Sequence, residues 1–339
     1  MSVRRLLLQT TVLAGLVGGT YLSIQDLRAE PQLTNAPYAS PPYYYAPAVD
    51  GLNAKIEGLA GSLVHNGLYG SRGAVAVPLG SLLGLQIDGA GGSLDGQGFG
   101  SVAGHLFSRN PAMGLIGVYA SYTNWNPFGG VAVTQTAGEF ALYWNTLTLE
   151  GIAGAEFGSS ASHVISSTIS VPPAIGVAGS ITTTTLLQSY DVRTRFFDQV
   201  NLKYYLTENW DAYVGHRYIG GENAFAVGTE LALPLGAGVM ASAFVEGRIG
   251  SNDFEGVWGG LKFYLGGKDK SLIRRHREDK VPYWDTLFSI VNNFNQSVLQ
   301  SPRGIDPLLS PPPLPPALPP PLPPPLPPPL PPEPPEPPA

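Results

Sequence analysis

Thirteen ionisable residues stand at alternate positions of short apolar segments: Lys55, Glu57, Asp88, Glu139, Glu150, Glu156, Lys203, Asp211, Arg217, Glu230, Glu246, Arg248 and Lys262. Alternation is the period of an extended strand, so each charge projects from one side of a pleated ribbon and its apolar neighbours from the other. A wall of mixed charge has two uses: it can pair with itself and fill a space, or it can line a passage that replaces part of a solute's hydration. Catalysis would need more. His105 is followed by Ser108, but no Asn or Asp partner for that serine is evident, and no nucleophile elbow occurs. The five histidines include no pair at metal-ligand spacing. The expectation is a chain that is not an enzyme and carries neither metal nor cofactor.

The elements that position these residues read as strands near 52–63, 72–79, 83–92, 98–107, 113–123, 132–144, 147–157, 195–206, 209–219, 223–232, 238–248 and 255–265. Soluble strands are usually about five or six residues long, whereas a tilted strand crossing a bilayer needs roughly nine to eleven. In the penultimate segment Val239, Ala241, Ala243 and Val245 oppose Ser242, Glu246 and Arg248; in the last, Val257, Leu261, Phe263 and Leu265 oppose Lys262. A soluble sandwich shows the same alternation with its polar face in water, so the pattern alone leaves both open.

Connections favour the membrane. With both barrel ends in the periplasm, the turns "LGSL", "SRNP", "NT", "TEN" and "PLGAG" are short. The opposite side carries "VHNGLYGS", "NWNPFGGV" and the long stretch 158–194. Short periplasmic turns and longer external loops mark outer-membrane barrels. The expected fold is therefore all-β, an antiparallel transmembrane barrel over 52–266. It has about twelve strands if 158–194 is an external hairpin, fourteen if its halves cross as well.

Aromatic residues near strand ends fit interfacial girdles: Tyr122, Trp125, Tyr143, Trp144, Tyr204, Tyr205, Trp210, Tyr218, Phe263 and Tyr264. "GGLKFYL", 259–265, resembles the signal by which outer-membrane barrels are recognised for assembly, carried here by Gly260, Phe263 and Leu265. The stretches "FFDQVNLKYYLTENWDAYVGHRYIGG" and "TELALPLGAGVMASAFVEGRIGSNDFEGVWGGLKFYLG" resemble porin-like outer-membrane β-barrel proteins of alphaproteobacteria. The resemblance implies a location and a fold, with outer-membrane lipid and the barrel assembly machinery as partners. It implies no particular activity. Porins typically end at the last strand, and this chain does not.

The flanks differ in texture. Arg4 and Arg5 precede an apolar run to about Leu22, and Ala29 closes a Leu-Arg-Ala cleavage site, so 1–29 reads as a secretory signal; an uncleaved anchor is the alternative. Residues 30–51 form a Pro/Tyr-rich linker. After the barrel, "KDKSLIRRHREDK" reads as a solvated basic linker. Trp284, Leu287, Val291, Phe294 and Val298 recur at helical spacing, predicting an amphipathic helix near 283–300 that could plug the barrel, lie on the membrane or bind a partner. Twenty of the 34 prolines crowd into 311–339. That composition favours polyproline II and suggests a periplasmic spacer toward the cell wall or a proline-recognising protein.

The absence of cysteine excludes disulfides and thiolate metal sites, and a net charge of -6 without a basic stripe gives nucleic-acid binding no support. Two functions remain. One is a passive channel for small polar solutes in the outer membrane of a Gram-negative bacterium. The other is a closed structural barrel that tethers the envelope or presents its external loop. Oligomeric state is not legible.

Overall fold

The computed structural model describes residues 47–170, 181–251, 254–279, 281–284 and 286–303. The signal segment, most of the Pro/Tyr-rich linker, the tip of the 158–194 stretch and the proline-rich tail lie outside these residues.

Twelve antiparallel strands close into a barrel. They are β1 (Asn53–Leu63), β2 (Asn66–Leu79), β3 (Leu83–Leu94), β4 (Gln97–Asn110), β5 (Gly114–Trp125), β6 (Val131–Trp144), β7 (Leu147–Gly158), β10 (Arg195–Thr207), β11 (Trp210–Ile219), β12 (Glu222–Gly236), β13 (Val239–Gly250) and β14 (Glu255–Leu265). The two intervening strands, β8 (Ser160–Ser170) and β9 (Ile181–Asp191), do not cross with them; they form a three-stranded sheet with β15 (Phe294–Arg303), in the order β15-β9-β8. Twelve is thus the crossing number, and 158–194 is the hairpin rather than a further pair of crossing strands. The described residues 163–170, 181–188 and 296–303 belong to a second compact unit.

Closure runs through β1 and β14, registered from Ala54 opposite Leu265 to Leu63 opposite Gly256. The last strand therefore ends the barrel by satisfying the backbone of the first, and no edge is left, as hydrocarbon requires.

The two faces carry inverted polarity. Outward positions on successive strands include Ile56 and Val75, then Ile87 and Val102, then Ile116, Val118 and Phe140, and on the far wall Leu202, Val214, Phe225, Val227 and Leu261, all substantially exposed. Inward positions include Glu57, Gln86, Asp88, His105, Glu139, Glu156, Asp211 and Arg248, all buried. A water-soluble sheet protein buries the first set and exposes the second. Only a low-dielectric surround makes this arrangement stable, so the outer wall faces lipid and two stacked sheets with a dry interlayer are excluded.

The same parity corrects the girdle. Tyr122, Trp144, Tyr204 and Phe263 do face outward, but Trp125, Tyr143, Tyr205 and Tyr264 point into the lumen and are buried. Sequence neighbours near strand ends must take opposite faces, so a run such as Tyr143-Trp144 gives one ring to each.

One mouth carries the two barrel ends and only two- or three-residue turns, at 80–82, 111–113, 145–146, 208–209 and 237–238. By the rule of short periplasmic turns this is the periplasmic mouth. At the opposite mouth only 126–130, 159–194 and 251–254 are longer; 64–65, 95–96 and 220–221 are again tight turns. The expected loop "VHNGLYGS" is therefore mostly strand. Residues 66–71 extend β2, paired with β1 from Asn66 opposite Leu63. Asp95-Gly96 and Gly220-Gly221 take positive φ at both central residues, which fits the twist of the flanking strands where an ordinary type I turn would splay them.

Candidate functional site

All thirteen ionisable residues singled out from the sequence occupy lumen-facing strand positions, and each carries a counter-charge or sits within the same charged cluster. Glu57 meets Lys55 at 3.6 Å and Arg72 at 3.3 Å. Glu150 meets Lys203 at 3.4 Å and accepts from Asn201 at 3.0 Å. Glu230 meets Lys262 at 2.6 Å and accepts from Ser242 at 2.6 Å and from the Tyr264 hydroxyl. Glu246 lies 2.7 Å from Arg248 and 3.9 Å from Arg217. Glu156 lies 3.7 Å from Arg195 and accepts from the Gly220 amide at 2.9 Å. Buried charges without such partners would cost several kcal/mol each, roughly, so the pairing is what makes a charged interior tolerable.

Asp88 and Glu139 share one partner that spacing did not reveal. His105 Nε2 lies 3.1 Å from Asp88 Oδ2, and Nδ1 lies 3.0 Å from Glu139 Oε2. Only a ring with a proton on each nitrogen donates to both. Ser108 is exposed on the opposite face of β4, so the His–Ser pair does not assemble. A third cluster joins Asp211, Glu230 and His276, whose ligand atoms lie within 4.8 Å of one another. The Lys262 ammonium already stands at Glu230 and supplies the positive charge there. His163, expected in a loop, lies on β8.

Several lumen groups were missed. Arg72 lies opposite Glu57 in the β1–β2 register, and placing the start of β2 correctly would have exposed the pair. His105 follows Ala103 and precedes Phe107 on an inward parity, a signal present in the sequence. Gln86 and Gln135 share the inward parity of Asp88 and Glu139, whereas Arg195 and His276 come from a strand end and from outside the barrel, and no local pattern marks those two.

The larger surprise is what fills the lumen. The segment expected as a solvated linker and a short amphipathic helix near 283–300 instead makes a helix earlier in the chain, α1 (Leu272–Glu278), an irregular passage, a single turn, α2 (Phe288–Val291), and then β15. α1 sits at the periplasmic mouth. Its free amides are capped by the β10–β11 turn, Leu272 N donating to Asn209 Oδ1 at 3.0 Å and Ile273 N to Glu208 O at 3.1 Å. Arg275 reaches Gly238 O at 2.8 Å, and Arg277 reaches Leu147 O at 3.0 Å. Far from solvated, Lys270, Arg275, Arg277 and Glu278 are all buried.

From α1 the chain enters the barrel. Val281 N donates to Gln86 Oε1 at 2.9 Å, Trp284 Nε1 donates to Glu139 Oε2 at 3.1 Å, Thr286 meets Thr123, and Ser289 accepts from Gln135 at 2.9 Å. Polar lumen walls thus satisfy backbone and side-chain groups that a continuous helix would satisfy internally, which is why the helical period breaks. Trp284, Leu287 and Val291 of the expected stripe are buried, whereas Phe294 and Val298 lie on β15, not on a helix.

Beside this segment remains a cavity of about 120 Å³, walled by Lys55, Glu57, Arg72, Glu150, Lys203, Asp211, Arg217, Glu230, Glu246, Arg248 and Lys262 and bounded by Val281–Trp284. It has room for a handful of water molecules.

The chain is a plugged transmembrane β-barrel. No family model matches it, and no curated protein does. Among solved structures, an outer membrane channel from Pseudomonas putida F1 aligns at 11% identity and TM-score 0.39, over 67% of this chain and 98% of that one. Omp33 of Acinetobacter baumannii aligns at 7% and 0.32, over 63% and 97%. The toluene transporter TodX of Pseudomonas putida aligns at 6% and 0.36, over 64% and 89%. The first two are described as outer membrane proteins. Likenesses this slight carry nothing about activity; the inverted faces of the barrel carry the assignment to a membrane. Gly260, Phe263 and Leu265, expected from the sequence as an assembly signal, lie on β14, with Phe263 and Leu265 exposed.

The mouth itself is held by charge. Lys270 lies 3.0 Å from Asp50 and 3.3 Å from Glu278, and also bonds Asp279. Burial opposes the ammonium, but Asp279, Asp50 and Glu278 outweigh it and hold Lys270 above its ordinary value. Burial likewise opposes the Glu278 carboxylate, but Arg274 and Lys270 hold it below its ordinary value. The carboxylate's stabilisation is present above the unfolded value, about 4.3, and is lost as pH falls through the depressed folded one; the lysine's is present below about 10.4 and lost as pH rises through the raised one. Hydrogen-exchange protection of the Ile273–Arg275 amides, corrected for intrinsic rates, is therefore expected to be flat between these limits and to fall beyond each. A monotonic profile across neutral pH would contradict this.

Proposed function

We propose that the protein is an outer-membrane channel for small polar solutes in a Gram-negative envelope, held closed at rest by its own residues 281–293. The observation that carries this reading is the charged cavity alongside a segment joined to the wall by hydrogen bonds rather than by strand pairing. Twelve strands enclose more space than the roughly eight whose interior side chains just fill. Here the surplus is taken up by a length of chain that can shift against the wall without opening the sheet. The thirteen lumen charges then serve in both states, pairing across the gap when closed and lowering the desolvation cost of a polar solute when open. Membrane lipid and the barrel assembly machinery are the partners this reading needs.

The test is planar-bilayer recording of the full chain and of a chain truncated before Val281. Stepwise conductance in the truncated form, with rare or no steps in the full one, is the expected result. Silence in both, with the heat-modifiable gel shift of a folded barrel retained, would overturn the channel and leave the second reading, a closed scaffold presenting the β8–β9–β15 sheet. Its support is the extent of ion pairing among the thirteen lumen charges.

A further inference from the structure

The contacts of residues 272–293 run from the periplasmic mouth of the barrel to the external one. α1 bonds the β10–β11 turn at the periplasmic mouth. Val281 bonds Gln86, near the periplasmic start of β3. Trp284 bonds Glu139, midway along β6, and Thr286 bonds Thr123, close to the external end of β5. Ser289 bonds Gln135, nearer the external start of β6. Asn292 Nδ2 donates to Ile219 O at 3.0 Å, the last residue of β11, and Arg195, the first of β10, donates to Asn293 Oδ1 at 2.6 Å. Leu287, Ile290 and Val291 are packed with Leu63, Leu94, Trp125 and Val131, all at the external ends of their strands. Residues 281–293, at up to ~3.3 Å each, are ample to cross the ~25 Å apolar band.

The chain thus goes in at one mouth and comes out at the other. We infer that the barrel carries its own C-terminus across the membrane, so that the stretch beginning at residue 304, with the proline-rich 311–339, lies on the cell surface rather than in the periplasm. The barrel is then a display device for that stretch, and any partner of it is extracellular, not the cell wall. Nothing forces this from the barrel fold: a chain leaving β14 at Leu265 starts on the periplasmic side, and only the lumen passage reverses it. Return through the same lumen is opposed by the apolar collar around Leu287, Ile290 and Val291. The inference stands on the path of the segment and not on whether the lumen conducts.

The chain has no cysteine, so single substitutions report alone. Ser310→Cys tests the tail, Ser251→Cys marks the external mouth and Ser81→Cys the periplasmic one. With a membrane-impermeant maleimide, S310C is expected to label on intact cells as fully as S251C, and S81C only once the outer membrane is permeabilised. Labelling of S310C only after permeabilisation, alongside S251C labelled on intact cells, would overturn the inference. Because a substituted chain can misassemble, the unsubstituted protein gives a second measure. A prolyl endopeptidase added to intact cells is expected to shorten it from the C-terminal end; a full-length chain that is cut only in permeabilised cells would count against surface exposure.

Discussion

Glu139→Ala is expected to lower unfolding stability by about 3 kcal/mol, because removing one member of a buried charged cluster leaves the others uncompensated. Glu139 is 3% exposed and serves two partners at once, His105 on β4 and Trp284 on the lumen segment. Its loss leaves the indole donor without an acceptor and His105 with Asp88 alone. Two effects should therefore separate. Urea titration of the barrel in detergent, followed by tryptophan fluorescence, reads the stability loss. Bilayer recording reads the segment, which loses its central anchor and should admit conductance steps in the full-length chain. Glu139→Gln keeps an acceptor for Trp284 and gives up the charge, so it should lose stability but stay closed. An unchanged urea midpoint for the alanine variant would mean that the cluster contributes nothing.

Trp284→Ala is expected to cost about 3–5 kcal/mol, the range for truncating a buried large aromatic. Trp284 is 3% exposed and packs with Ala103, Tyr119, Ile152 and Phe197. It also bounds the 120 Å³ cavity, so truncation enlarges a space that is already lined by charged groups. That should make this variant the leakiest single substitution in the lumen. If Glu139 and Trp284 act through their shared bond, the double variant should fall short of the sum of the singles by about 0.5–3 kcal/mol. Additive losses would show that the bond is incidental and that packing alone holds the segment.

The strand segments and their inside-out alternation followed from local chemistry, whereas the choice between twelve and fourteen crossings was made by the strand pairing. Period-2 patterning acts through nearest neighbours on one ribbon, so Val239, Ala241, Ala243 and Val245 could be assigned a shared face without knowing what lay beyond it. The thirteen charges were legible as a set for the same reason. Which charge meets which was not. Lys203 with Glu150 and Lys262 with Glu230 come from registers between strands that are not joined by a tight turn, so no local spacing reports them.

The lumen segment marks the limit most sharply. Its apolar spacing, Trp284, Leu287, Val291, is that of a helix, and an isolated chain in water would have no reason to abandon that period. Inside the barrel Gln86, Glu139 and Gln135 offer its polar groups other partners, and the external ends of many of the strands offer its apolar groups a collar. Sequence alone therefore determined a membrane-spanning sheet with a charged interior and an unusual extension after it. Only the tertiary structure decided that the extension occupies the interior, because burial there is supplied by residues from every part of the chain, and a local pattern carries no record of partners so distant.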